Sequence, residues 1–309
     1  MRVLVTGGTG FVGRALIPAL GRDGHAVVAW ARSVGRTRGL LGPAVDLVDA
    51  KGGGDALAAA LGSCDAVVNL AGEPILGGRW TPARKALLRE SRVQFTEDLV
   101  RAWARATRPP RVLVSGSAVG YYGDRGAERL DETSARGEDF LATLCEQWEF
   151  AARGAEARGA RVVLLRTGVV LGRDGGALAQ MLPPFRFGAG GPVGSGRQYM
   201  PWIHLDDLIG IVRTALIDDA IRGPINGVAP NPVTSREFAG ALGRALRRPA
   251  MLPMPSLALR AVFGEAATVL LASQRVEPAA LRAREFRWAH RTIDSALTDI
   301  VNGTLRRSA

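Results

Sequence analysis

Lysine is almost absent from this 309-residue chain. Of its 40 basic residues only Lys51 and Lys85 are lysines, and the others are arginines. Against 29 acidic residues the formal charge is +11, which raises a nucleic-acid reading. The arginines, however, are scattered along every helical segment. The densest runs, "GRALRRP" and "TLRRSA", are short and have no interleaved aromatics. No nucleic-acid partner is expected, and the charge reads as a compositional bias on a solvated surface. Cysteine is scarce too: Cys64 and Cys145 are far apart and suggest neither a disulfide framework nor a metal site. No run is long enough and free enough of charge to span a bilayer, so no membrane partner is expected. The opening "MRVLVTGG" has neither the basic leader nor the apolar core of a secretory signal, and a cytoplasmic location is the default expectation.

What is present is an alternation of strand and helix signals. "RVLVTG", "HAVVAWA", "AVDLV", "DAVVNLAG", "RVLVSGS" and "ARVVLLRTGVVLG" read as six strands, with helical patterns between them. Thr81-Pro82 starts a long helix, as N-cap and first helical residue, that runs on to the Pro109-Pro110 stop. Continuous apolar strands separated by helices indicate a parallel sheet covered on both faces, an α/β fold of doubly wound Rossmann type. After about Gly172 glycine and proline become frequent, and mostly helical sequence follows. Residues 1–174, with 205–229 returning to them, are expected to form the nucleotide-binding domain. Residues 175–309 are expected to form a smaller substrate-side domain, set against the carboxyl ends of the strands where such sheets bind ligands.

"VLVTGGTGFVG" places Gly7, Gly10 and Gly13 between strand one and helix one. Glycines there permit a tight turn and let backbone N–H groups at the helix N-terminus meet a pyrophosphate. The same turn brings Thr9, Phe11 and Val12 to the ligand. An NAD enzyme usually has an acidic residue at the end of strand two; here Ala31 is followed by Arg32, whose guanidinium suits a 2′-phosphate. NADP(H) is the expected cofactor. Leu70, Ala71, Gly72 and Glu73, after strand four, should line it, and Thr167, after strand six, should lie near the nicotinamide amide.

The motifs "TGGTGFVG", "NLAGEP", "SGSAVGYYGD", "LLRTGVVLG", "MLPPFRFGAGGPVGSGRQYMPWIHLDDL" and "SQRVEP" together resemble the atypical short-chain dehydrogenase/reductases known as epimerase-family proteins of the 39U type. The resemblance covers almost the whole chain, including a C-terminal extension at about 249–302. In ordinary short-chain dehydrogenases a tyrosine and a lysine one helical turn apart, a serine and an asparagine carry the chemistry. Carried over, the serine is Ser117, the tyrosine and lysine positions hold Leu141 and Cys145, and the asparagine falls near Arg92. The resemblance thus implies an NADP(H)-binding enzyme, an oxidoreductase or nucleoside-sugar-epimerase-like catalyst on a carbonyl or sugar-like small molecule. It keeps Ser117 and lacks the standard acid. At the level of the fold, a homodimer through the long helices after strands four and five is expected.

Other groups could supply the proton. Tyr122, beside Tyr121, follows Ser117 and has a phenol of ordinary pKa about 10, so it would need a cation such as Arg92 nearby. Cys145, with a free-thiol pKa near about 8.5, is another candidate acid. For each the plainer reading is packing. His204, Asp206 and Asp207 could form a metal or acid/base site, but carboxylates that open a helix usually cap it, and no metal is expected. Arg79 and Trp80 could close over the cofactor or simply staple a loop, and Arg186 and Arg197 could grip an anionic substrate. The alternative to an enzyme is a dinucleotide-binding regulatory or scaffold protein that has lost turnover.

Overall fold

The computed structural model describes residues 1–307 of the chain. In chain order the first half contains β1 (Arg2–Thr6), α1 (Phe11–Arg22), β2 (Ala26–Ala31), α2 (Val34–Leu41), β3 (Asp46–Asp49), α3 (Gly53–Gly62), β4 (Ala66–Asn69), α4 (Pro82–Arg89), α5 (Phe95–Arg105), β5 (Val112–Ala118), β6 (Arg129–Leu130) and α6 (Phe140–Arg153). Then follow β7 (Arg161–Thr167), β8 (Val169–Leu171), α7 (Gly176–Arg186), β9 (Tyr199–Met200), β10 (Trp202–His204), α8 (Leu205–Ile217), β11 (Gly223–Gly227), β12 (Val233–Thr234) and α9 (Ser235–Leu246). The chain closes with α10 (Ser256–Phe263), α11 (Thr268–Leu271), β13 (Arg275–Val276), α12 (Ala279–Arg282) and α13 (Ile293–Arg307).

Seven strands form one parallel sheet in the order β11-β7-β5-β4-β1-β2-β3. The order reverses around β1 and β4, so their carboxyl ends open a crevice. Alternate residues of each strand serve opposite faces. Val3 and Val5 of β1 pack with Leu16 and Leu20 of α1 and with Ile211 and Val212 of α8. Leu4, between them, packs with Leu61 of α3 and with Leu99 and Trp103 of α5. Both faces are therefore apolar and covered, which explains the continuous Val/Leu runs. A further core joins α7, α9 and α13 through Leu178, Phe185, Phe238, Leu242 and Leu297.

Helix starts follow local chemistry. Thr81 accepts from the Arg84 N–H with Pro82 at the first position, Asp139 accepts from Ala142, and Thr234 with Glu237 closes a capping box. The structure differs from the sequence expectations at two places. The helix from Thr81 is interrupted by a wider turn of π geometry over Glu90–Gln94, which separates α4 from α5. Such turns occur often at functional sites, and this one carries Ser91 and Arg92. The single strand expected over "ARVVLLRTGVVLG" is two, broken at Gly168. A Cβ at Gly168 would fall 2.8 Å from the Pro201 carbonyl oxygen and 2.9 Å from Val228 Cγ1. The chain bends at that contact, and β8 leaves the main sheet to pair with β10.

The turn after β1 is equally tight. A Cβ on Gly13 would lie 2.5 Å from the Gly7 carbonyl oxygen and 2.7 Å from the Gly8 Cα, both backbone atoms that cannot step aside. Gly13→Ala should therefore cost about 1–3 kcal/mol by overpacking, read as a lower denaturation midpoint in urea with an unchanged slope.

Candidate functional site

The crevice at the carboxyl ends of β1, β4, β5 and β7 begins with the glycine turn. Gly7 takes φ +67°, and a Cβ there would sit 2.4 Å from the Leu70 carbonyl oxygen, so only glycine lets β1 and β4 end this close together. The Gly10 N–H donates to the Gly7 carbonyl at 2.9 Å, closing the turn. α1 then starts without a side-chain cap and without an acid in its first turn. Thr9 and Gly10, which lead into it, are exposed. An uncapped helix N-terminus behind a glycine turn is suited to a phosphate. Phe11 turns its ring onto Gly172, Gly175 and Gly176, where a Cβ would come within 2.8 Å of it.

A buried polar brace holds the strand ends in register. Asn69 accepts from the Thr6 hydroxyl at 2.6 Å and donates to Thr96 Oγ1 at 2.9 Å, which also accepts from the Trp148 indole at 3.0 Å. Beyond it the "NLAGEP" loop runs over the π turn. The Glu73 N–H donates to Ser91 Oγ at 3.1 Å, and Arg92 donates to the Glu73 carbonyl at 2.8 Å while packing against Gly72. Burial, followed by the nearby Arg84 charge, draws the Arg92 guanidinium below its ordinary value, with Cys145 and Glu73 opposing. At the far end of the crevice Arg32 leaves β2 and pairs with Glu73 at 3.2 Å.

Ser117 lies at the end of β5, 5% exposed, and its hydroxyl donates to Glu149 Oε1 at 2.7 Å. Glu149, on α6, forms a two-pronged pair with Arg166 of β7: Nε to Oε1 at 2.8 Å and Nη2 to Oε2 at 2.9 Å. Arg166 also donates through Nη1 to the Tyr122 hydroxyl at 3.1 Å, and that hydroxyl donates to Asn226 Oδ1 of β11 at 2.7 Å. Tyr121 stacks on the guanidinium, 3.5 Å from ring centroid to Cζ. Ser117 and Arg166 face each other in the β5–β7 register, with Ala118 opposite half-buried Thr167.

These positions bear on the two acid candidates. Tyr122 is fully buried, and burial pushes its phenol up to about 12 against the opposing pull of Arg166. Both sides of its hydroxyl are engaged inside the network, so it braces β11 and does not line the crevice. Cys145 is likewise buried, and burial with the Glu149 charge raises its thiol to about 12, which keeps it protonated. Leu141 packs with Trp148, Leu144 and Trp80 and lies against Gly120.

Elsewhere the residues flanking the crevice serve architecture. Arg79 donates to the carbonyls of Ala261 and Val262, and Trp80 to that of Ile75, so both staple the loop to α10 and to itself. Arg186 and Arg197 are exposed. His204 caps α8 by accepting from the Asp206 N–H through Nδ1 at 3.1 Å, so in the neutral ring the proton is on Nε2. His204, His290 and Asp299 do gather within 4.8 Å, but a ring bearing its proton on the nitrogen that faces this group is not a ligand. Asp207 accepts the N–H groups of Ala289 and His290 at 2.6 and 3.0 Å, tying α8 to the C-terminal segment.

Glu149 and Arg166 escaped the sequence reading, although both left a signal. Arg166 is the one charge inside an apolar strand, and Glu149 sits a turn beyond Cys145 on an otherwise apolar helical face. A buried charge requires a partner.

A family model described as NAD dependent epimerase/dehydratase family matches residues 3–225. The chain belongs to that family. A second model, a domain of unknown function (DUF1731), matches residues 254–300, within the expected C-terminal extension. The epimerase family protein SDR39U1 homolog, chloroplastic, of Arabidopsis thaliana is 43% identical over 97% of this chain and 87% of its own. The human epimerase family protein SDR39U1 is 43% identical over 97% of this chain and all of its own. A crystal structure of human SDR39U1 (isoform 2) with NADPH superposes with a TM-score of 0.88 at 41% identity, covering 98% of this chain and 99% of that one. The resemblance read from the motifs and the Rossmann-type fold are both borne out.

Two stability measurements check the site's framework. Glu149→Gln leaves Arg166 buried without a counter-charge and should cost about 3–5 kcal/mol, whereas replacing both residues by methionine should recover much of that; chemical denaturation of the single and double variants reads the difference. His204 titrates below its ordinary value because of burial and then the neighbouring His290. Its folded pKa lies under its unfolded one, so the neutral cap's contribution is complete above about pH 6.5 and is lost as the pH falls through the folded value. The melting temperature should drop on acidification toward pH 5, and less steeply in His204→Asn, which keeps a capping acceptor that does not titrate.

Proposed function

We propose that the protein is an NADP(H)-dependent oxidoreductase or epimerase-like enzyme acting on a small carbonyl or sugar-like compound. Residues 1–174 with 205–229 would hold the cofactor, and 175–309 would form the substrate side. The observation that carries this reading is the crevice itself. It joins an uncapped helix N-terminus behind a glycine turn, an arginine at the end of β2, and a polar Ser117 at the end of β5. The solved human relative with NADPH supports the choice of cofactor.

In this reading the turn of Gly7, Thr9, Gly10, Phe11, Val12 and Gly13 holds the pyrophosphate, and Arg32 the 2′-phosphate. Leu70, Ala71, Gly72 and Glu73 form the wall, with Arg92 behind them. Thr167 and Ser117 lie at the nicotinamide end. The cofactor, when bound, supplies or accepts the hydride. Ser117 holds the substrate oxygen. Because its own proton is directed to Glu149, its lone pairs are free to accept from a substrate hydroxyl. Cys145 and Leu141 form packed wall, and Tyr122 supports Arg166. Two buried free thiols fit a reducing compartment such as the cytoplasm. Phe150, exposed on α6, fits a homodimer through the long helices. Among the described residues no helix is long and apolar enough to cross a membrane.

One observation favours a second reading, a cofactor-binding regulatory protein without turnover: neither Tyr122 nor Cys145 is free to give a proton. NADPH and NADH titrations followed by cofactor fluorescence, then NADPH oxidation against a carbonyl library, separate the two. The enzyme reading expects tighter NADPH than NADH binding and turnover on at least one compound. It also expects Ser117→Ala to lower kcat/KM about three- to tenfold at unchanged NADPH affinity. Tight NADPH binding with no turnover on any compound would move the assignment to the regulatory reading.

A further inference from the structure

The pair at the adenosine end of the crevice contains an opposition. Arg32, the residue placed to meet a 2′-phosphate, is already held by a carboxylate, Glu73, at 3.2 Å. The two partners differ in freedom. The Arg32 side chain is 87% exposed, on a loop beyond the end of β2, whereas that of Glu73 is 26% exposed. The Glu73 backbone is fixed on both sides, its N–H donating to Ser91 and its carbonyl accepting from Arg92. Ser91 and Arg92 both belong to the π turn, so the residue carrying the carboxylate is tied to a framework while the guanidinium extends into solvent.

We propose that Glu73 is a specificity-determining residue, whose carboxylate competes with the cofactor's 2′-phosphate for Arg32 and so narrows the preference for NADPH over NADH. The inference rests on the reading of Arg32 as the phosphate's partner. A 2′-phosphate brings between one and two negative charges to a guanidinium that Glu73 already shares. Bringing the phosphate to Arg32 therefore either displaces Glu73 or places two anions side by side. An exposed ion pair itself contributes little, so the benefit of pre-positioning Arg32 is small beside that repulsion. A bare 2′-hydroxyl meets no such penalty, because it can donate to the same carboxylate. Glu73 therefore acts in opposite directions on the two cofactors. A residue that only shaped the wall would affect both alike.

The test uses the full chain and four probes: NADPH, NADH, and the fragments 2′,5′-ADP and 5′-AMP, which differ only in the 2′-phosphate. Glu73→Gln keeps the size of the side chain and removes its charge. It should tighten NADPH and 2′,5′-ADP about three- to tenfold at low ionic strength, with the gain shrinking as salt is added. NADH and 5′-AMP should bind no more tightly than before. Arg32→Ala should weaken 2′,5′-ADP and leave 5′-AMP unchanged. Unchanged or weaker NADPH binding in Glu73→Gln, alongside the expected loss in Arg32→Ala, would overturn the role of Glu73 alone. If Arg32→Ala left 2′,5′-ADP binding intact, the Arg32 reading would fall and this proposal with it.

Discussion

The buried pair between Glu149 and Arg166 is the constraint around which the substrate end of this molecule is organised. Both side chains lie almost wholly out of water, at 6% and 4% exposed. Two charges so placed persist only when their hydrogen bonds are satisfied, since each carries a desolvation cost of several kcal/mol. Here the satisfaction is nearly complete. The carboxylate receives Ser117 and two guanidinium nitrogens, and the third nitrogen is shared between the Tyr122 hydroxyl and the Glu132 carbonyl. Glu132 extends the network, its carboxylate taking the N–H groups of Asn226 and Ala280. One pair thereby ties α6, β5, β7, β11 and α12 to a common point.

That arrangement has a chemical consequence. A serine hydroxyl can donate one proton, and at Ser117 its direction is set by a carboxylate behind the sheet. If the cofactor binds as proposed, Ser117 would meet the substrate as an acceptor, which suits the hydroxyl side of a carbonyl–alcohol pair. The Arg32–Glu73 pair is arranged differently, with an exposed guanidinium and a half-buried acid. The structure is thus tightly braced around Ser117 and more open at Arg32.

The parts of the fold legible in the sequence were those set by local rules. The β1–turn–α1 unit follows from apolar alternation and glycines, the start of α4 from Thr81-Pro82, and the doubly covered sheet from continuous apolar strands. What was hidden depended on distant contacts. The bend at Gly168 is forced by Pro201 and Val228, which arrive 33 and 60 residues later in the chain, and nothing in "RTGVVLG" announces it. Glu149 and Arg166 are only 17 residues apart, but their meeting depends on α6 lying across β5 and β7. The same limit hid the fate of Tyr122. Its place after Ser117 makes it a candidate acid, whereas the turn over Val119–Tyr122 carries its ring inward to Asn226, in line with the plainer packing reading.

The replacement of the usual tyrosine and lysine is best understood together with this network. On one helical face of α6, Leu141 and Cys145 fill space, and the next turn carries Glu149. Near Ser117 the charge lies one turn further along the helix, on Glu149, and across on β7, on Arg166. A lysine at position 145 would be a third cation near Arg92 and Arg166, and in a volume this dry like charges repel strongly. An apolar pair at 141 and 145 avoids that conflict. The neutral thiol at Cys145 then follows from its surroundings, because a thiolate there would face the Glu149 carboxylate without water to screen it. The packing at Leu141 and Cys145 and the ion pair one turn on are therefore compatible parts of one electrostatic arrangement.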